Sequence, residues 1–104
     1  MSAPDTAVLL AELFRLLGAP TRLRIVLACV GGQRAVGAIA RALDVSPSLV
    51  SHHLRWLRAA RIVRAQRQGK QVLYRAADSH ISAVLACMRE HVAESADDFS
   101  QDER

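Results

Sequence analysis

Four side chains near the end of the sequence carry its clearest chemical signal: Asp78, His80, His91 and Glu94. Two imidazoles and two carboxylates form a donor set suited to a borderline divalent cation. On an α-helix, His91 and Glu94 are three residues apart and share a face. His80 and His91 are eleven apart, which at 100° per residue is about 20° from three full turns, so both histidines follow one stripe. A rise of about 1.5 Å per residue nevertheless separates them by about 16 Å, whereas a zinc ligand atom sits about 2 Å from its ion. One helix cannot close such a shell, but an antiparallel second copy can. Pairing His80 with the partner's His91 puts a twofold axis near residue 85 or 86. Pairing Asp78 with the partner's Glu94 gives the same axis to within about half a residue. Two symmetric sites per dimer follow, each using Asp78 and His80 of one chain with the partner's His91 and the partner's Glu94. Tetrahedral ligation by these donors suits Zn(II), with Co(II) as its mimic. Ni(II) is disfavoured, because it would want more nitrogen donors and no histidine precedes His52. A plainer reading stands beside this one: Asp78 as a helix cap, His91 and Glu94 as ordinary interface polar residues.

The elements that would position these groups can be read from spacing and punctuation. The chain has 104 residues, 51% of them hydrophobic and 4% aromatic, enough for one compact domain (1–104) and not for two. Thr6 to Leu17 reads as a helix capped by Asp5 or Thr6, with Val8, Leu9, Leu13, Leu16 and Leu17 as its apolar stripe. Gly18 stops it and Pro20 opens a second helix to about Val30, with Leu23, Val26, Leu27 and Val30 apolar. A short third helix covers about Val36 to Leu43. After the turn at Asp44-Val45, Ser46 caps a fourth helix with Pro47 in its first turn, running to about Ala60. Val50, Leu54 and Leu57 face inward there, leaving Ser48, Ser51, His52 and Arg55 outward. Ile62 to Ala76, broken at Gln68-Gly69-Lys70, alternates like a hairpin with a basic tip. Asp78 caps a last helix to about Ser95. The structured core is thus 6–95, and the acidic tail 96–104 is expected to be flexible.

Charge is divided along the chain. Ser46 to Arg75 holds seven basic residues (Arg55, Arg58, Arg61, Arg64, Arg67, Lys70 and Arg75) and no Asp or Glu. From Glu90 onward the balance reverses, with Glu94, Asp97, Asp98, Asp102 and Glu103. A basic middle points to a polyanion partner. Two helices, a short turn and a basic hairpin form a winged helix-turn-helix layout: mainly α with a small β-hairpin. Small polar residues on the first half of the second helix suit the major groove, so Ser46, Ser48, Ser51, His52 and Arg55 are the expected DNA contacts. Arg67 and Lys70 on the hairpin tip suit phosphate or the minor groove. Of His52 and His53, one is expected to serve packing or surface. Trp56, in the second half of the helix, is expected to pack rather than stack on a base.

The stretch Val45-Ser46-Pro47-Ser48-Leu49-Val50-Ser51-His52-His53-Leu54-Arg55-Trp56-Leu57-Arg58 resembles the recognition helix of the ArsR/SmtB family of bacterial repressors. Gln68-Gly69-Lys70 to Tyr74-Arg75 resembles that family's wing, and Gly18-Ala19-Pro20-Thr21-Arg22-Leu23 its first interhelical junction. The likeness extends over about Val8 to Glu94. It implies a dimer built through the first and last helices, binding an imperfect inverted repeat of double-stranded operator DNA and released by an inducer. The spacing Asp78, His80, His91, Glu94 also resembles that of the family's zinc sensors with a site in the last helix. The resemblance further implies a hydrogen bond from the free ring nitrogen of His91 to backbone near Arg61. The family's other metal site uses a cysteine motif at the start of the third helix. Here that stretch is Arg34-Ala35-Val36-Gly37-Ala38, without cysteine, which puts arsenic, cadmium and lead sensing in doubt.

Competing readings use the same fold. Cys29 and Cys87 lie in the second and last helices, where some relatives sense persulfide or oxidants; Cys87 also falls near the inferred twofold axis. A constitutive DNA-binding module without an inducer is the other alternative. An enzyme is not expected, since the histidines have no nucleophile beside them and no Gly-rich phosphate loop exists. No apolar run reaches the roughly 20 residues of a membrane span, and two cysteines make no disulfide framework. The expected location is therefore a reducing cytoplasm.

Overall fold

The computed structural model describes residues 3–102, with side chains described as far as residue 96. Helix α1 (Thr6–Leu17) starts where Asp5 accepts the N–H of Ala7 at 2.8 Å, and α2 (Pro20–Val30) starts on Pro20. Strand β1 (Arg34–Ala35) leads into α3 (Val36–Leu43). Helix α4 (Pro47–Ala59) begins where Ser46 Oγ accepts the N–H of Leu49 at 3.1 Å. Strands β2 (Val63–Gln68) and β3 (Gln71–Ala76) form the wing, and α5 (Ser79–Asp102) closes the fold. The layout is a winged helix-turn-helix: five helices and a small antiparallel sheet of order β1-β3-β2 among the described residues.

Two short turns set the geometry of the reading head. Between α3 and α4, Asp44 takes a left-handed backbone (φ 55°) and the N–H of Val45 donates to the Ala40 carbonyl at 3.1 Å. Aspartate is among the few side-chain-bearing residues that tolerate this conformation. After α4, Arg61 does the same (φ 62°), and Ile62 N–H donates to Leu57 O at 2.9 Å. Arginine has no such tolerance. The wing turns on Gly69-Lys70, with Gln68 paired to Gln71; the positive φ of 62° at Gly69 is that of a tight hairpin turn requiring glycine at its first position.

The core is one cluster in which Ile25, Val26, Cys29, Ile39, Val50, Leu54, Leu57, Ile62 and Val63 are all shut from solvent. Among its described residues, helix α5 adds only Leu85 to it, with Ile81 half-buried. The α1 stripe is shallower than its spacing suggests. Leu16 is buried and Leu13 and Leu17 half-buried, but Val8 and Leu9 are exposed, with Leu10 and Phe14 beside them. Val84, Met88 and Val92 are exposed on α5. A protomer of this size rarely leaves so many large apolar groups wet on two neighbouring helices.

Three expectations need correction. The last helix does not stop near Ser95 but runs to Asp102, because nothing from Ala96 onward breaks it; the side chains of 97–104 lie outside the described residues. Strand β1 is an addition, since two residues carry no period to read; Arg34 pairs with Tyr74 and Ala35 with Leu73. Trp56 does not join the protomer's core. It is 55% exposed, because it sits well over a quarter turn round α4 from the Val50, Leu54 and Leu57 stripe.

Truncating a side chain at the centre of this cluster should be costly. Leu54→Ala is expected to destabilise the protein by about 2–5 kcal/mol, read as a shift of the urea midpoint at fixed protein concentration. A shift near zero would mean that α4 does not seat on the core.

Candidate metal centre and nucleic-acid interface

The outward face of α4 is as its period requires. Ser48, Ser51, His52 and Arg55 are exposed, while Val50, Leu54 and Leu57 are buried. Ser46 is exposed too; its oxygen accepts the cap bond from Leu49, which leaves the hydroxyl proton and one lone pair to offer. His52 stands free of the core, whereas His53 is half-buried with Nδ1 lacking a partner. Burial, then the neighbouring Arg22 and His52, hold His53 below the usual histidine range, which fits it for packing rather than for a charged contact. Leu49 and Trp56 remain exposed on the flank of α4 that His52 shares.

The wing is braced rather than loose. Arg67 Nε donates to the Gly69 carbonyl at 3.3 Å, tying one basic side chain to its own turn, and Lys70 is exposed at the tip. Gln33 Nε2 donates to Gln66 Oε1 at 2.6 Å, and Gln68 Nε2 donates to Gln33 Oε1 at 3.3 Å. These amides and the β1–β3 pairing fasten the hairpin to the connection before α3.

The four candidate ligands lie on α5 and its cap. Asp78 Oδ1 accepts the N–H of Ile81 at 3.0 Å, which holds its carboxyl below the ordinary carboxylate range; nearby His80 adds to this. The cap's contribution to stability is thus present above that range and is lost as pH falls through the lowered pKa. His80 Nδ1 lies 3.6 Å from Asp78 Oδ1. His91 Nε2 is 3.4 Å from Ser95 Oγ, and Glu94 is exposed. Among the described residues of one protomer, no three His, Cys, Asp or Glu side chains converge. The start of α5 therefore presents an imidazole beside a carboxylate whose orientation is set by the Ile81 N–H, and three turns on the helix carries His91 and an exposed Glu94. In donor chemistry each pair fits half of a zinc shell.

The cysteines are both free and differ in setting. Cys29 is buried, and burial pushes its thiol up to about 11 against the opposing pull of Arg34. Cys87 is exposed on α5. A thiolate is the reactive form, so Cys29 is chemically quiet.

One feature absent from the expected site is an open pocket of about 510 Å3 where the end of α4, β2 and the cap of α5 meet. Arg58, Arg61 and Arg64 line it beside Asp78. None of the three takes part in a salt bridge among the described residues. Their spacing every third residue was visible in the sequence, but only the left-handed turn at Arg61 brings a helix end and a strand start round one hollow.

Residues 19–65 match the family described as bacterial regulatory protein, arsR family. The chain is similar to the HTH-type transcriptional repressor SmtB of Mycobacterium tuberculosis, with 44% identity over 85 residues, spanning 82% of this chain and 63% of that protein. It is similar as well to the transcriptional repressor SmtB homolog of Synechocystis, with 40% identity over 91 residues, 88% of this chain and 69% of that one. In three dimensions it resembles the solution structure of the homodimeric winged helix-turn-helix DNA-binding domain Mb0332 of Mycobacterium bovis. The TM-score is 0.81 and the identity 26%, over 92% of this chain and 94% of that one.

The contrast between the cysteines is open to direct test. In a Cys87→Ser variant, iodoacetamide near pH 8 should label Cys29 at least about 100-fold more slowly than free cysteine, and fully only on unfolding. Rapid labelling of the folded protein would reopen Cys29 as a redox group.

Proposed function

The chain belongs to the arsR family of bacterial regulatory proteins, and on that footing we propose that it is a metal-responsive transcriptional repressor. As a homodimer it grips operator DNA with α4 and the wing, and it lets go when Zn(II), or Co(II) in its place, binds at two intersubunit sites. The observation that carries this reading is the arrangement of α5. An Asp–His pair stands at its start and a His–Glu pair on the same stripe three turns on, neither able to make a shell alone and each complementary to the other under a twofold axis. The exposed apolar groups of α1 and α5 supply the surface such a dimer would bury.

Each residue then has a part. Ser48, Ser51, His52 and Arg55 face the bases, with Ser46 at the helix mouth. Arg67 and Lys70 hold backbone phosphate. Asp78 and His80 meet the partner's His91 and the partner's Glu94. The Ile81 N–H fixes the Asp78 carboxylate in advance, so little orientation is left to lose on binding. When bound, the ion supplies a rigid positive bridge between chains that otherwise touch through apolar side chains. Recognition helices must sit about one DNA turn apart to read two half-sites. A ligand that favours a different spacing lowers DNA affinity by its own differential affinity for the two states. The free nitrogen of His91 reaching backbone near Arg61, just beyond α4, is the path we assign to this coupling.

The thiol alternative loses ground to the burial of Cys29 and the height of its pKa. The SmtB relative is longer than this chain, which spans 63% of it, and its printed name adds support for repression rather than for a particular inducer.

Metal-free, reduced protein titrated with Co(II) should take up one ion per chain, with intense tetrahedral visible bands and no sulfur charge-transfer band. Zn(II) should displace it. A strong thiolate band, or no uptake, would overturn the site. Saturating Zn(II) should weaken operator binding by roughly 5–150-fold, and His91→Ala should abolish that response while keeping DNA affinity. Loss of both activities in His91→Ala would count against the assigned coupling.

Separate binding titrations test the DNA face. Arg55→Ala should cost about 1–3 kcal/mol on the operator and less on random sequence. Lys70→Ala should weaken both alike and lower the salt slope by about one. Equal loss on both sequences in Arg55→Ala would remove it from base reading.

A further inference from the structure

We propose that the pocket lined by Arg58, Arg61 and Arg64 is the docking site for the acidic end of α5 of the partner subunit. The inference rests on the antiparallel α5 pairing proposed above and adds a second, electrostatic contact to it. Three arginines line one open hollow, and among the described residues Asp78 is the only acid that lines it with them. Like charges gathered round one hollow repel one another, which an anion among them relieves, and no described carboxylate bridges any of the three.

The length of α5 indicates what fills the gap. In the antiparallel register, the partner's Glu94 comes opposite Asp78, on the rim of this hollow. Helix α5 does not end there but continues to Asp102. The next turns of the partner helix therefore pass beyond Asp78, by about 6 Å at position 98 and about 12 Å at position 102. Those turns carry Asp97, Asp98 and Asp102 in sequence, and no Lys or Arg appears between Glu90 and Glu103. A helix C-terminus favours cations beside it, so the arginine hollow suits that end on two counts. By symmetry the contact occurs twice per dimer.

Its consequence is that the most basic part of each reading head is partly neutralised by the other chain. The acidic segment thereby tightens the dimer and competes with DNA phosphate for guanidinium at the base of the wing.

Sedimentation equilibrium of the full chain, chelator-treated and without DNA, tests this at low and high salt. Arg61→Glu with Arg64→Glu should weaken dimerisation at least about tenfold at low salt, and Asp97→Arg with Asp98→Arg should do the same. All four changes together should restore the dissociation constant to within about threefold of the parent; a misfolded variant would not be rescued in this way. Either pair alone leaving dimerisation within about twofold of the parent, or failure of the combination to rescue, would overturn the inference. So would a variant that keeps the parent's dimerisation but loses salt dependence in DNA binding, since the hollow would then hold phosphate. A parent chain that is itself monomeric would sink the dimer reading and this contact with it.

Discussion

The rise of an α-helix is fixed, and in this protein that constraint governs the rest. Along α5 it separates Asp78 and His80 from His91 and Glu94 by about three turns, too far for any side chain to span. The same helix contributes little to its own protomer's core, essentially Leu85 and part of Ile81. Its remaining apolar groups, with those of α1, stay in water until another molecule arrives. Chemistry and apolar burial therefore make the same demand for a second copy, and a dimer that satisfies one satisfies both. Marginal stability in a domain of about a hundred residues makes such a pairing part of the fold's energetics.

A second theme is how little of the reading head is left to move. Ser46 accepts the α4 cap bond, Arg67 leans on its own turn, and the Gln33, Gln66 and Gln68 amides tie the wing to the connection before β1. These bonds tie the wing to the rest of its protomer, so under the proposed mechanism the angle and distance between protomers are what a ligand would change. That is the coordinate on which intersubunit ligands have leverage.

Most of the architecture was legible in the sequence, for identifiable reasons. Asp5, Pro20, Ser46 with Pro47, and Asp78 mark helix starts by chemistry that acts within a few residues. The helix limits at Thr6–Leu17, Pro20–Val30 and Val36–Leu43 follow from such signals. What was hidden depends on groups distant in sequence. Strand β1 exists because β3 is there to receive it. Ile25 and Cys29 are buried on a flank of α2 that its apolar stripe does not single out, because β3 and α4 close over it. The proposed ligand pairs rest on spacing and their pairing on symmetry, whereas the hollow that gathers the arginines beside Asp78 had no signal in the sequence. It depends on one backbone angle, and no local pattern announces a left-handed arginine.

That angle bears on how this surface evolves. Holding a side-chain-bearing residue near φ 62° costs on the order of 1 kcal/mol relative to glycine, and an arginine codon lies a single base change from a glycine one. The isolated domain would thus gain stability from the simplest replacement at position 61. A lineage selected on folding alone would drift toward glycine there, so persistence of the guanidinium would record selection acting on what the side chain touches.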